Sequence, residues 1–404
     1  MRAHLLVTDY LCPSPLPLTA ATLSKEAATD TNNQLQANAL AYFLANFSSS
    51  NTQNITITAT YSTSGGTSVQ VNGAADVPTT FTAVLGLNAI TVRGTSTVRF
   101  GMSRLRVALV LDNTGSMSSS GKMTALKSAT KNLLSQLNSA ATTNGDVYVS
   151  IIPFAKDVNV DPGNNNNAWI DWTEWFKKNG TCSNTAYSNQ DSCTANKNKW
   201  SKANKNTWNG CVADRGDALA PNSGNYDTNV VTPSKGNKNP ETKFPAEQYS
   251  SCPQAVMGLS YNWSAMNTLV QNMSPNGNTN QAIGLAHGWM SLVGGGPYTA
   301  PAMASGYTYT QIIILLTDGL NTQDRWYTDQ ASIDARQQMT CNNIKAAGIT
   351  LYTIQVNTGG DPTSTLLQNC ASSSDKFFLL TSANEIVTTF NTIGTSLSNL
   401  YVSK

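Results

Sequence analysis

The sequence predicts an α/β fold: a doubly wound, mainly parallel sheet interrupted by a long disulfide-containing insertion and preceded by a small α+β region. Three observations predict it. Apolar strand-like runs alternate with helical patterns from about residue 104 onward. Two of those runs stop abruptly at an acid, Asp112 and Asp318. Four of the seven cysteines crowd into one stretch between them.

Residues 1–17 read as irregular, because Pro13, Pro15 and Pro17 oppose helix. Residues 18–103 form the first organised region. From Ala20 to Phe47 a helix is expected, since Leu35, Ala39, Leu40, Phe43, Leu44 and Phe47 recur at three- and four-residue steps. Ile55, Ile57 and Ala59 alternate with threonines, as on a half-buried strand. Gly65-Gly66 marks a turn, Val69 and Val71 begin a second strand, Pro78 to Leu87 suits a short helix, and Ile90 to Phe100 is extended again. A helix followed by a small antiparallel sheet accounts for this pattern.

Residues 104–404 form the second region. Strands are expected at Val107–Leu111, Val147–Ile152, Ile312–Leu316, Leu351–Val356 and Phe377–Leu380. Helices are expected around Leu126–Leu137, Trp263–Asn272, Gln281–Leu292, Ile333–Ala347, Thr363–Cys370 and Ala383–Leu400. Alternation of this kind implies a parallel sheet covered on both faces. Ligands of such sheets sit beyond the carboxyl ends of the strands, where Asp112 and Asp318 stand. The insertion, about 156–261, is rich in Asn, Lys and Trp, and its regular structure cannot be read.

Composition narrows the function. A net charge of +2 offers no strong field for nucleic acid, and only 12% of residues are charged. Polarity comes instead from Ser, Thr, Asn and Gln, a balance commoner in exported bacterial proteins. Two histidines, His4 and His287, and no Cys-x-x-Cys leave poor material for a zinc site or a nucleophilic triad. Six cysteines follow Cys12 and suit three disulfides in an oxidising compartment; the sequence does not fix their pairing, and a local one, Cys182–Cys193, Cys211–Cys252 and Cys341–Cys370, is the expectation. No stretch approaches the ~20 apolar residues of a membrane span.

The chemistry concentrates at Asp112-Asn113-Thr114-Gly115-Ser116. A buried strand ending there aims one carboxylate and two hydroxyls at a single spot, a donor set suited to a hard divalent cation. Gly115 to Met123 mimics a phosphate-binding loop, but the glycines are one residue too far apart, and Met123 stands where a hydroxyl would hold Mg²⁺. A phosphotransferase would want a second acid at Thr114.

With Thr279 before one helix and Thr317-Asp318-Gly319 after another strand, the set resembles the metal-ion-dependent adhesion site of von Willebrand factor A domains. The resemblance implies that Asp112, Thr114, Ser116, Thr279 and Asp318 hold Mg²⁺, or Ca²⁺ or Mn²⁺, with one position open for a partner's carboxylate. The family more often has Ser where Thr114 stands. A narrower resemblance, to TadG-type proteins of alphaproteobacteria, rests on Ile152-Pro153-Phe154, Asp157-Val158-Asn159, Trp169-Ile170-Asp171, Asn209-Gly210-Cys211, Thr317–Thr322 and Cys341–Lys345. It implies a non-enzymatic, extracytoplasmic binding protein of the tight-adherence system that assembles Flp pili. Residues 18–103 would then be the pilin-like stalk, and the partner a pilus or envelope protein presenting a carboxylate. Relatives carry an inner-membrane anchor. This similarity starts near Thr22, so a displaced start or frameshift is expected to have removed the anchor. Competing readings are a metal-dependent hydrolase or phosphotransferase, and a structural envelope subunit whose metal only ties loops together.

Overall fold

The computed structural model describes residues 32–46, 52–62, 67–79, 83, 86, 88–100, 103–216, 227–233, 242–305 and 307–402. The irregular start at 1–17, the first part of the helix expected from Ala20, the Gly65-Gly66 turn and most of the short helix expected at Pro78–Leu87 lie outside them. Two compact units result, the first formed by 1–103, 303–308 and 400–404 and the second by 104–302 and 309–399.

The first unit contains helix α1 (Asn32–Asn46) and strands β1 (Gln53–Ser62), β2 (Thr67–Pro78) and β3 (Ala89–Phe100). The strands pair antiparallel in sequence order. Leu35, Ala39 and Phe43 share one face of α1, because residues four apart stack along a helix. They pack on Ile57, Val69 and Val71. The Gln36 side chain donates to the Ile57 carbonyl and accepts from the Ala59 amide at 2.8 Å. It thereby serves backbone groups of the edge strand β1 that would otherwise lack partners.

The second unit begins with β4 (Ser103–Asp112), α2 (Lys122–Ala140) and β5 (Val147–Phe154). Short elements follow: β6 (Val158–Asn159), β7 (Ile170–Asp171), α3 (Thr173–Lys178), β8 (Gly180–Cys182), α4 (Gln190–Ala195), β9 (Trp200–Lys202), β10 (Cys211–Val212), β11 (Phe244–Pro245) and β12 (Met257–Ser260). Then come α5 (Trp263–Asn272), α6 (Gln281–Val293), β13 (Thr308–Thr317), α7 (Gln330–Ala346), β14 (Thr350–Val356), α8 (Thr365–Cys370), β15 (Phe377–Leu380) and α9 (Asn384–Val402).

The main sheet runs β10-β6-β5-β4-β13-β14-β15, with β12 also paired to β5. The β4–β5, β13–β14 and β14–β15 pairs are parallel, whereas β6, β10 and β12 add antiparallel. The fold is therefore the expected mixed α/β architecture with a mostly parallel central sheet. From Leu105 to Asp112 every residue of β4 is buried, as a strand covered on both faces requires. Leu126, Ala129, Leu133 and Leu137 of α2 are all buried. Helix α6 is buried along almost its whole length and presses close to the sheet. A Cβ on Gly288 would sit 2.5 Å from a methyl of Val110, so only glycine permits this approach.

The insertion is held by two disulfides and by aromatic rings, and a third disulfide, Cys341–Cys370, joins α7 to α8. Cysteines pair as Cys182–Cys193, Cys211–Cys252 and Cys341–Cys370, the pairing expected from the sequence. Trp172 meets Trp175 and Trp208 edge-on, with ring centroids 5.3 and 5.2 Å apart. All three are buried, so these tryptophans pack the interior of the insertion.

Candidate metal centre

The three sequence-predicted loops meet at the carboxyl edge of the central strands. Strand β4 delivers Asp112 as its last residue, and β13 ends at Thr317, one residue before Asp318. β4 and β13 are neighbours, and the Thr317 hydroxyl bonds to Asp112 while Ser116 bonds to Asp318, so both acids stand at the same end of the sheet.

A chain of hydrogen bonds joins four of the five predicted residues. Asp112 Oδ1 accepts from the Thr114 amide at 2.8 Å and from Thr114 Oγ1 at 2.5 Å. Thr114 Oγ1 lies 3.0 Å from Ser116 Oγ, which donates to Asp318 Oδ1 at 2.6 Å. Asp112 and Thr114 are fully buried, whereas Ser116 is exposed and marks the mouth of the site.

Thr279 reaches the site through backbone. Its hydroxyl is not part of the chain that joins the other four. The Gly115 amide donates to the Gly277 carbonyl and the Asn276 amide to the Asn113 carbonyl, each at 2.9 Å. The Thr279 amide donates to Thr322 Oγ1 at 2.8 Å, and the Thr322 amide returns to the Thr279 carbonyl at 2.9 Å. Gly277 has φ of +84°, and a Cβ there would collide with the Tyr249 hydroxyl. The second loop can therefore lie this close to the first only with glycine at that position.

Two participants went unread in the sequence. Thr317 Oγ1 donates to Asp112 Oδ2 at 2.6 Å. The Lys122 ammonium pairs with Asp318 Oδ2. The signal for Thr317 was its hydroxyl directly before the acid. For Lys122 none existed, since a lysine at the start of a helix is usually solvated.

Burial, together with the Asp318 carboxylate, pushes the Asp112 carboxyl up to about 6, against the opposing hydrogen bonds from Thr114 and Thr317. Two buried acids that repel one another, ringed by hydroxyl oxygens, fit a hard cation that would relieve the repulsion. Among the described residues no three His, Cys, Asp or Glu side chains are grouped to hold a metal. The donors that do meet are two carboxylates and hydroxyls.

Behind the metal loops lies a second charged cluster. Asp214 Oδ2 accepts from Asn280 Nδ2 at 2.9 Å and from the Arg325 amide at 3.2 Å. Burial pushes its carboxyl up to about 6; Arg336 opposes this, while Asp227 and Asp324 reinforce it. A carboxyl that keeps its proton to higher pH when folded makes stability fall as pH rises between the unfolded and folded values. The contribution of Asp214 to stability should therefore fall by up to ~2–3 kcal/mol from about pH 4 to about pH 6. Asp214→Asn should flatten part of that slope in urea midpoints measured across the range; an unchanged slope would refute the assignment.

Residues 228–392 match the family profile of the von Willebrand factor type A domain. The match contains Thr279 and Asp318 and begins beyond Asp112, Thr114 and Ser116. No curated protein matches the chain in sequence. Among solved structures, the chain is similar to the pilus adhesin SpaC of Lactobacillus rhamnosus GG, at 15% identity and TM-score 0.39, covering 88% of this chain and 36% of that one. It is also similar to the vWF domain of the type V pili tip protein Mfa5 of Porphyromonas gingivalis, at 9% identity and TM-score 0.40, covering 74% and 97%. A third similarity is to proximal thread matrix protein 1 of the mussel byssus with a zinc-occupied MIDAS motif, at 13% identity and TM-score 0.36, covering 74% and 47%. The chain thus spans about a third of the SpaC structure and about half of the mussel protein. From the profile match and the mostly parallel α/β sheet, the chain carries a von Willebrand factor type A domain.

Proposed function

We propose that the chain is a non-enzymatic, extracytoplasmic binding protein whose A domain holds a divalent cation and through it a carboxylate of a partner. Asp112, Thr114, Ser116, Thr279 and Asp318 would hold the cation, Mg²⁺ or else Ca²⁺ or Mn²⁺. The observation that carries this reading is the continuous run of oxygens from Asp112 through Thr114 and Ser116 to Asp318, open to solvent at Ser116. When bound, the cation supplies concentrated positive charge and a coordination position that selects an anionic oxygen. The chain's own residues supply the rest. Thr317 orients Asp112, and the backbone bonds of Gly115 and Asn276 hold the second loop against the first.

The setting proposed is the cell envelope, with the partner a pilus or envelope protein of the tight-adherence system, as the TadG-type resemblance implies. Three formed disulfides support an oxidising compartment. Among the described residues no helix is long and apolar enough to cross a membrane. A non-enzymatic role is supported by His287, whose ring bonds the buried Tyr298 hydroxyl at 2.8 Å. Burial pushes its pKa down to about 3, so it is unsuited to act as a base near neutral pH.

Mg²⁺ at a hundredfold excess over its dissociation constant should stabilise the wild-type chain by about 2.7 kcal/mol. Asp112→Ala should abolish this thermal shift and leave the far-ultraviolet circular dichroism unchanged. Equal shifts in both proteins would refute the site. Capture of an envelope partner that is lost in EDTA while the fold persists supports adhesion. Capture indifferent to EDTA would reduce the metal to a tie between loops, and turnover of phosphoesters would revive the enzyme.

A further inference from the structure

The site contains a cation of its own. Lys122 is the first residue of α2, and its ammonium is ion-paired with Asp318, the two side chains being 7% and 0% exposed. Nothing about the helix asks for lysine there. The first turn of a helix favours acidic side chains, because its free amides carry partial positive charge, yet α2 has no acid in that turn. Its N-cap, Gly121, supplies no side-chain hydrogen bond. Lys122 is thus placed against the local preference of its own helix and answers to Asp318. The charged groups of the site are Asp112, Asp318 and Lys122, since Ser116, Thr114 and Thr317 bring only hydroxyls.

We propose that Lys122 makes cation binding depend on an anionic ligand: it holds one of the two acids in an internal ion pair, so a dication binds weakly alone and tightly only together with a carboxylate. This rests on the metal-centre reading above. Two carboxylates would neutralise a dication. With the ammonium also present, one positive charge is left over in a largely buried setting, where an unbalanced charge is costly. A carboxylate entering at Ser116 cancels it, whereas a neutral amide does not. By linkage, the carboxylate strengthens cation binding by the same factor as the cation strengthens carboxylate binding. The site thereby discriminates an acidic partner side chain from its amide counterpart.

The test is calorimetric titration of Mg²⁺ into the full chain at low salt, with and without acetate as the anionic probe. It compares wild type, Lys122→Met, Lys122→Gln and Lys122→Arg. Lys122→Gln keeps a donor for Asp318 and guards against failure of the methionine variant to fold. Removing the charge should tighten Mg²⁺ binding at least about tenfold, and Lys122→Arg should match wild type. Acetate should tighten Mg²⁺ binding about fivefold or more in wild type and less than about twofold in the neutral variants. Unchanged or weaker Mg²⁺ binding in both neutral variants would overturn the proposal, as would equal acetate coupling in all four proteins. If no protein takes up Mg²⁺ and Asp112→Ala behaves as wild type, the metal centre itself is wrong, a result distinct from a bound cation indifferent to Lys122.

Discussion

Replacing Asp227 by alanine should lower stability by about 3–5 kcal/mol, the usual loss when one member of a buried ion pair is removed. Asp227 Oδ1 accepts from Arg215 Nε at 2.6 Å, and Oδ2 accepts from the Arg215 amide at 2.7 Å. Arg336 adds a longer contact to Oδ2 at 3.4 Å. Burial alone would push this carboxyl up, but the two guanidinium groups outweigh it and hold it below its ordinary value. Both arginines are buried, so the alanine variant removes the carboxylate that Arg215 faces and leaves Arg336 with Asp214, 3.6 Å away. Arg215 also donates to the carbonyls of Val231 and Thr242 at 2.7 and 2.8 Å and lies over the Phe244 ring, so the insertion should loosen with it. A depressed carboxyl stabilises fully above its unfolded value and loses that contribution as pH falls through the folded one. The gap between wild type and variant in urea midpoints should therefore be full above about pH 4 and shrink below it. A gap under about 1 kcal/mol at neutral pH would mean the cluster is not a structural clamp.

Removing the Cys211–Cys252 disulfide should have an effect of similar size. It closes a sequence separation of 41, and loop-closure entropy alone predicts about 4 kcal/mol for a loop of that length. Cys182–Cys193 spans only 11, for which the same relation predicts about 3 kcal/mol. Paired alanine substitutions should rank the two bridges in that order by chemical denaturation. The Cys211 bridge has a second consequence, because β10 forms one border of the main sheet through its pairing with β6. Its loss should therefore raise amide exchange at Val158 and Asn159 before it affects β4. The reverse ranking would show that local packing, rather than loop length, decides the contribution.

The A-domain framework was legible because its signals are periodic. The apolar run through Val107–Leu111 and the spaced Leu126, Ala129, Leu133 and Leu137 map onto a buried strand and one helix face. Asp112 and Asp318 were legible because each interrupts an apolar run abruptly. The insertion was not legible, since its strands are two to four residues long and its order comes from disulfides and rings, which leave no periodic trace. The Asp214–Arg215–Asp227–Arg336 cluster was missed for a related reason. Its members are scattered over more than a hundred residues, and isolated charges in a sequence look solvated. In the sequence Lys122 stands only at the end of an imperfect phosphate-loop pattern, because its partner lies 196 residues away at the third metal loop.

The borders of the main sheet limit how copies of this domain can associate. At the two ends of the strand order stand β10, two residues long, and β15, four residues long; β12, beside β5, is also four. The first is already closed by the bridge of Val212 to Ala246, and the second is long enough for at most a rung or two, too few to template edge-to-edge growth. Polymerisation by strand addition is thereby disfavoured at the A domain, even where many copies crowd together on one filament or surface.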